Sequence, residues 1–310
     1  MKLKFNISLI MLFSVFFYLY QAQETKDKSD FPVLKGPYLG QKPPGLTPEI
    51  FAPGIVSTNL PDFSCCVSPD AREIYFTRWI PKFGGSRIMF THLTDTGWTR
   101  PDVLPQIADI KSIEPTMSPD GSKLFFGVWE HTANMAEPNL RIRYLARTDA
   151  GWTGPFDLDH PFNKVMVMYL TVARDGTVYT SDISAGQGFK RLVRAGQAND
   201  QYTNFKPVGS PLDTISGALY PCIAPDQSYL LFCAPGKSGK GNGLFVSFML
   251  SNTAWSNPAE LVTGFKEVAQ PWITVDGKYI FFTVIPGPGE SDIYWADAKI
   301  TEQFRPEKMK

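Results

Sequence analysis

Glu114-Pro115-Thr116-Met117-Ser118-Pro119-Asp120-Gly121, followed closely by Leu124-Phe125-Phe126, reads as a strand, a tight turn and a second strand. Pro presets φ at the first central position of such a turn, Asp suits the second, and Gly accepts positive φ. The same string returns at Ser64-Cys65-Cys66-Val67-Ser68-Pro69-Asp70, Tyr169-Leu170-Thr171-Val172-Ala173-Arg174-Asp175-Gly176, Tyr220-Pro221-Cys222-Ile223-Ala224-Pro225-Asp226 and Gln270-Pro271-Trp272-Ile273-Thr274-Val275-Asp276-Gly277. The turn aspartates are 50, 55, 51 and 50 residues apart. A period of that length marks a repeat architecture. A turn that recurs in every copy has a structural cause, so these aspartates are scaffold rather than acids for chemistry.

The runs after the turns, such as Ile74-Tyr75-Phe76, Leu230-Leu231-Phe232 and Tyr279-Ile280-Phe281-Phe282, are apolar on both faces, as strands sandwiched between neighbouring sheets must be. A second landmark follows each turn aspartate by 28 to 32 residues: Trp98, Trp152, Phe205, Trp255 and Phe304, each with a Pro two or three positions later. An aromatic covers the space between sheets, and Pro marks an edge strand because it lacks the N–H a ladder needs. Third strands fall between, at 87–92, 141–146, 244–248 and 292–296. The unit is four strands. The fifth copy stops at its aromatic landmark, and Thr47 to Val56 resembles the missing continuation. The sequence therefore predicts an all-β fold, a β-propeller of five four-stranded blades whose N-terminal strand closes the last blade.

The turn motif and its spacing resemble the WD-like Pro-Asp repeats of the TolB propeller family, over residues 46–310. That resemblance implies a protein-binding or envelope-associated module, and also a six-bladed ring, against the five copies counted here.

The chain begins Met1-Lys2-Leu3-Lys4, continues with an apolar run from Ile7 to Tyr20 and ends that run at Gln21-Ala22-Gln23. A basic start, a short apolar stretch and a small residue at its end describe a secretory signal over 1–23, and no Cys follows for lipid attachment. The expected location is periplasmic or secreted, without membrane insertion after cleavage. Residues 24–45, with Pro32, Pro37, Pro43 and Pro44, read as a linker or irregular lead-in, and 46–310 as a single propeller domain. Thirty basic and thirty acidic side chains cancel, which gives a nucleic-acid partner no electrostatic support. Four cysteines are few for an exported chain of 310 residues. A turn at Pro225-Asp226 sets Cys222 nearly opposite Leu230, which puts Cys222 and Cys233 on opposite faces as buried thiols.

In a propeller the loops entering the innermost strands share a face with those joining the second and third strands, and ligands bind there. Six residues before each turn aspartate stand Ser64, Glu114, Tyr169, Tyr220 and Gln270. Differences at equivalent positions are what a ligand site on a symmetric scaffold requires. Arg78, Trp79, Trp129, Glu130 and His131 lie in loops of the same face, where the tryptophans either form a platform for a sugar or peptide side chain or pack between blades. His92, His131 and His160 lack metal-ligand spacing. No cofactor is expected, with calcium held by channel carboxylates and carbonyls as the open alternative. The expectation is a non-catalytic module recognising a protein, peptide or glycan on the channel-loop face. The alternative is a sugar-cleaving enzyme, because five-bladed rings resemble the arabinanase scaffold; its acid and base would come from Glu114, Asp62 and Asp182.

Overall fold

The computed structural model describes residues 31–130, 139–184, 191–199, 201–237, 239, 241–251 and 254–309, so the predicted signal at 1–23 lies outside the described residues. Each turn string folds as its residues demand. The carbonyl of Ser68 accepts the N–H of Ala71, and that of Ser118 accepts the N–H of Gly121. Gly121, Gly176 and Gly277 take φ of 73°, 82° and 73°, while Ala71 and Gln227 hold the same left-handed position without glycine. The aspartates brace the turn. Asp120 Oδ1 accepts the Ser118 hydroxyl at 2.6 Å and the Ser122 N–H at 3.0 Å, and Asp276 Oδ1 accepts the Thr274 hydroxyl at 2.6 Å. Burial works to raise the Asp120 carboxyl, but the bonds from Ser118 and Ser122 outweigh it and hold it below its ordinary value.

Five antiparallel sheets result, each strand hydrogen-bonded to the next. Blade 1 runs outward through Asp62–Val67, Glu73–Ile80 and Gly85–Thr94 to the short edge pieces Gly97–Trp98 and Asp102–Val103. Blade 2 runs through Ser112–Met117, Lys123–Glu130, Asn139–Thr148 and Gly151–Asp157. Blade 3 is Val167–Val172, Val178–Asp182, Arg191–Ala195 and Lys206–Pro207, with a small hairpin of Gln197–Ala198 and Gln201–Tyr202 beside it. Blade 4 is Leu219–Ile223, Tyr229–Pro235 and Asn242–Ser251, edged by Ala254–Trp255 and Ala259–Glu260.

Blade 5 takes its three inner strands, Val268–Ile273, Tyr279–Val284 and Asp292–Asp297, from the C-terminal end and its outermost strand, Glu49–Ile50, from the N-terminal end. Glu49 pairs with Trp295 and Ile50 with Tyr294, so the ring closes at five blades rather than six. Phe51 secures the closure: its ring meets Phe281 at 4.9 Å and Trp295 at 5.1 Å, both edge-on, and all three are fully buried. Phe304 consequently falls in a 3₁₀ segment, Ala298–Phe304, instead of an edge strand, because that edge is already occupied.

The other landmark aromatics tie blade to blade. Trp152 Nε1 donates to the Tyr75 hydroxyl at 2.9 Å, and Trp255 Nε1 donates to the Val208 carbonyl at 3.0 Å. Trp98 Nε1 donates to the Gly36 carbonyl at 2.7 Å, which draws the irregular segment 31–45 onto the ring, with Tyr38 buried against Tyr279 and Trp295. Among the described residues, no helix is long and apolar enough to cross a membrane.

Cys222 pairs with Leu231, not Leu230, because the hairpin turn sets Ile223 opposite Leu230. Cys222 and Cys233 therefore share one face and one core cluster, against the sequence expectation of opposite faces, and remain separate buried thiols. They are diagonal neighbours on the sheet, a register that does not bring two Cβ atoms into bridging position.

Candidate functional site

The five unequal residues at the channel share one backbone conformation. Ser64, Glu114, Tyr169, Tyr220 and Gln270 all have φ between 49° and 58°, left-handed values that cost a non-glycine residue of order 1 kcal/mol or more. Each sits at a β-bulge within the innermost strand of its blade, not at its entry. The bulge frees the residue's N–H from its own ladder and aims it at the blade before. Ser64 N–H donates to Thr283 Oγ1 at 3.0 Å, Glu114 N–H to Thr77 Oγ1 at 2.9 Å and Tyr220 N–H to Ser181 Oγ at 3.0 Å. Gln270 N–H finds the Cys233 sulfur. The blade 2 counterpart is Gly127, which has no side chain, and there the Glu114 carboxylate accepts the Tyr169 N–H instead.

Glu114 is thereby drawn into the scaffold. Its Oε1 accepts Gln270 Nε2 at 2.9 Å, and Gln270 Oε1 accepts the Thr283 hydroxyl at 2.9 Å. Its Oε2 is buried without a hydrogen-bond partner. Burial pushes the Glu114 carboxyl up to about 7, against the pull of its bonds from Gln270 and Tyr169. Tyr169, 1% exposed, lies across the channel with its hydroxyl donating to the Pro271 carbonyl of blade 5 at 2.5 Å, and its ring meets that of Tyr220 edge-on at 5.6 Å.

The other two candidate carboxylates have separate duties. Asp62 is fully buried: Oδ1 accepts Arg78 Nε at 2.6 Å and Oδ2 accepts the Thr58 hydroxyl at 2.6 Å. Burial raises the Asp62 carboxyl, while Arg78 and Thr58 pull it down. Arg78 Nη2 goes on to the carbonyls of Ile55 and Val56, so the pair fastens the closing segment to blade 1. Asp182 accepts Arg191 Nε and Nη2, both at 3.1 Å, and the Ser184 N–H at 3.0 Å. None of Glu114, Asp62 and Asp182 lines any of the three main cavities among the described residues.

An open cavity of about 570 Å³ does lie on the channel-loop face, between blades 1 and 5. Pro61, Phe63, Trp79, Tyr220, Ala269 and Ile285 form its apolar wall, and Gln270, Thr283, Ser86 and Glu290 supply polar groups. It unites three of the sequence candidates, Trp79, Tyr220 and Gln270. Ser64 and Tyr169 are buried in the channel, and Arg78 is held by Asp62. Trp79 and Trp129 are 45% and 39% exposed. Trp129 stands on the blade 2 counterpart outside the cavity wall; Glu130 ends that strand, and His131 lies outside the described residues. A slightly larger cavity, about 610 Å³, sits by the turns, where Lys35, Tyr38 and Gln41 of the lead-in face Asp70 and Asp276. Its walls are repeat turns and lead-in, whereas the channel-face cavity includes Tyr220 and Gln270, from the position that varies among blades.

Sequence reading missed the acceptors Thr77, Ser181, Cys233 and Thr283. A signal existed: Thr77, Gly127, Cys233 and Thr283 each follow their turn aspartate by seven residues, and Ser181 follows by six. Among the described residues, no group of three or more His, Cys, Asp or Glu is placed to hold a metal ion.

No protein-family model matches the chain, and no curated protein matches it. Solved structures do. TolB from Acinetobacter baumannii is similar at a TM-score of 0.51 and 14% identity, covering 79% of this chain and 59% of that one. This chain thus spans well under two thirds of that TolB. An endo-arabinase from Bacteroides thetaiotaomicron gives 0.54 and 11% identity, over 78% of this chain and 95% of that one. An α-L-arabinofuranosidase from Podospora anserina gives 0.50 and 13%, over 81% and 93%. What the chain shares with them is the propeller fold. At such identities a shared fold carries no shared activity.

Proposed function

We propose that the chain is an exported, non-catalytic recognition propeller that holds a protein, peptide or glycan on its channel-loop face. The observation that carries this reading is the aromatic cavity between blades 1 and 5, of a size and apolar lining suited to a ligand group, with polar contacts at Gln270, Thr283, Ser86 and Glu290. The roles of the carboxylates support it. Glycoside cleavage needs two carboxyl groups facing one sugar bond, and here Glu114 bonds to Gln270 of blade 5, Asp62 fastens the closing segment through Arg78, and Asp182 pairs with Arg191 within blade 3. Export to the periplasm or the exterior follows from the basic and apolar N-terminal sequence.

The test is a combined glycan and peptide array probed with wild type, Glu114→Gln and Trp79→Ala, with product analysis on every hit. Recognition predicts binding without turnover that survives Glu114→Gln and is lost in Trp79→Ala. Release of sugar from any bound glycan, abolished by Glu114→Gln, would replace this reading with the sugar-cleaving one.

A further inference from the structure

Resting on that reading, the chemistry of the channel-face cavity narrows its ligand. Trp79, Tyr220 and Phe63 supply aromatic rings to the wall, and an aromatic face attracts positive charge. Among the described residues the one ionisable carboxyl in the wall is that of Glu290, exposed at the rim, and no Lys or Arg lines the space. Carboxyl groups also stand behind the wall: Glu267, and Glu114, which burial pushes up to about 7 and so keeps neutral in good part at neutral pH. Burial, then Glu114, Cys233 and Glu267, push the Tyr220 hydroxyl up, which places both glutamates within electrostatic reach of the cavity. Asp292 stands close enough to Glu290 for that charge, with burial, to raise its carboxyl.

Arg78 and Arg87 are engaged elsewhere. Arg78 is held by Asp62 and two carbonyls, and Arg87 donates to the carbonyls of Ala108 and Ser86 while covering Phe83. The Lys111 stem runs against Gly85, outside the wall. An anionic ligand would meet like charge at Glu290, and a neutral apolar one would leave Glu290 unused. Beyond the rim, Phe83 in the loop of blade 1 and Trp129 near the end of its strand in blade 2 are 41% and 39% exposed, a surface that a small molecule seated in the cavity would not cover.

We propose that the cavity receives a Lys or Arg side chain presented by a partner polypeptide, its stem against Phe63 and Ile285 and its charge between Trp79 and Glu290, with flanking residues of the partner on Phe83 and Trp129.

The experiment measures binding of a randomised peptide library to the described domain, followed by titration of selected peptides and of their citrulline or norleucine counterparts. Tetramethylammonium and butylguanidinium serve as competitors. Selected peptides are expected to carry Lys or Arg at one fixed position. Affinity is expected to fall about tenfold on replacing that residue by its neutral counterpart, and by a similar factor in Trp79→Ala. Glu290→Gln is expected to weaken binding several-fold and to reduce its salt dependence. Both variants change exposed side chains, and unaltered melting temperatures establish that they fold. Neutral peptides or glycans whose binding depends on Trp79 would overturn the cation while leaving the recognition reading intact. Binding of the free cations without any selected peptide would overturn the polypeptide partner. Failure of every peptide and glycan to bind would overturn this inference and the recognition reading together.

Discussion

Glu114 is the residue whose environment departs furthest from what its type prefers, being an acid 4% exposed, bonded to Gln270 and Tyr169 through part of its carboxylate and left with one buried oxygen unpartnered. Its folded pKa of about 7 lies above the ordinary 4.5. The folded state therefore binds the proton more tightly than the unfolded chain, and the stability that this confers is complete below pH about 4.5 and lost as pH rises to about 7. The loss is about 3 kcal/mol, from about 1.4 kcal/mol per pKa unit. In Glu114→Gln, denaturant titration across that range should show this slope removed, with stability at pH 8 equal to or above wild type. An unchanged pH dependence would mean that Glu114 is not the titrating group. The sequence identified position 114 as special because it stands in register with Ser64, Tyr169, Tyr220 and Gln270. It did not reveal that the carboxylate replaces the hydroxyl missing at Gly127, since that depends on which blade follows which.

At the scale of the strand, the channel is held by bulges that hand an N–H from one blade to a side-chain acceptor on the blade before. A second layer lies four residues before the turn aspartates, where Cys66 and Cys222 accept the N–H groups of Met117 and Ile273, and Thr171 Oγ1 accepts that of Ile223 at 3.2 Å. Thus three cysteines, Cys66, Cys222 and Cys233, stand where sister blades use Thr or Ser, which accounts for buried thiols in a chain without disulfides. Burial raises these thiols well above their ordinary value, so they are not poised for redox chemistry. Thr77→Val keeps shape but orphans the Glu114 N–H and should cost about 1–3 kcal/mol by chemical denaturation. Cys233→Ser keeps an acceptor for Gln270 N–H and should stay within about 1 kcal/mol of wild type. Equal losses in the two variants would show that packing, rather than the inter-blade bonds, governs these positions. The turn hairpins were legible from Pro, Asp and Gly because a turn is local; the bulges were not, since nothing in Ser, Glu, Tyr or Gln announces a left-handed residue.

At the scale of the whole molecule the ring is only as secure as its closure, where a two-residue strand and Phe51 join the ends of the chain. Phe51→Ala removes a fully buried ring from between Phe281 and Trp295 and should cost about 3–5 kcal/mol in thermal or denaturant unfolding. It should also expose residues 31–57 to limited proteolysis before the rest of the ring, and simultaneous loss of all blades without that early cleavage would contradict a closure role. By itself the sequence determined the repeat, the four-strand unit, the five blades and the closing segment, because these rest on periodicity and local turn chemistry that recur in register. Tertiary structure alone decided that Glu114, Asp62 and Asp182 are bonded to separate partners, that Cys222 and Cys233 share a face, and that Trp79, Tyr220 and Gln270 meet across three blades. Those outcomes depend on how many residues the hairpin turn takes up before pairing begins at Ile223 and Leu230, and on a ring that brings residues 79 and 270 to one wall, and such juxtapositions leave no trace in local spacing.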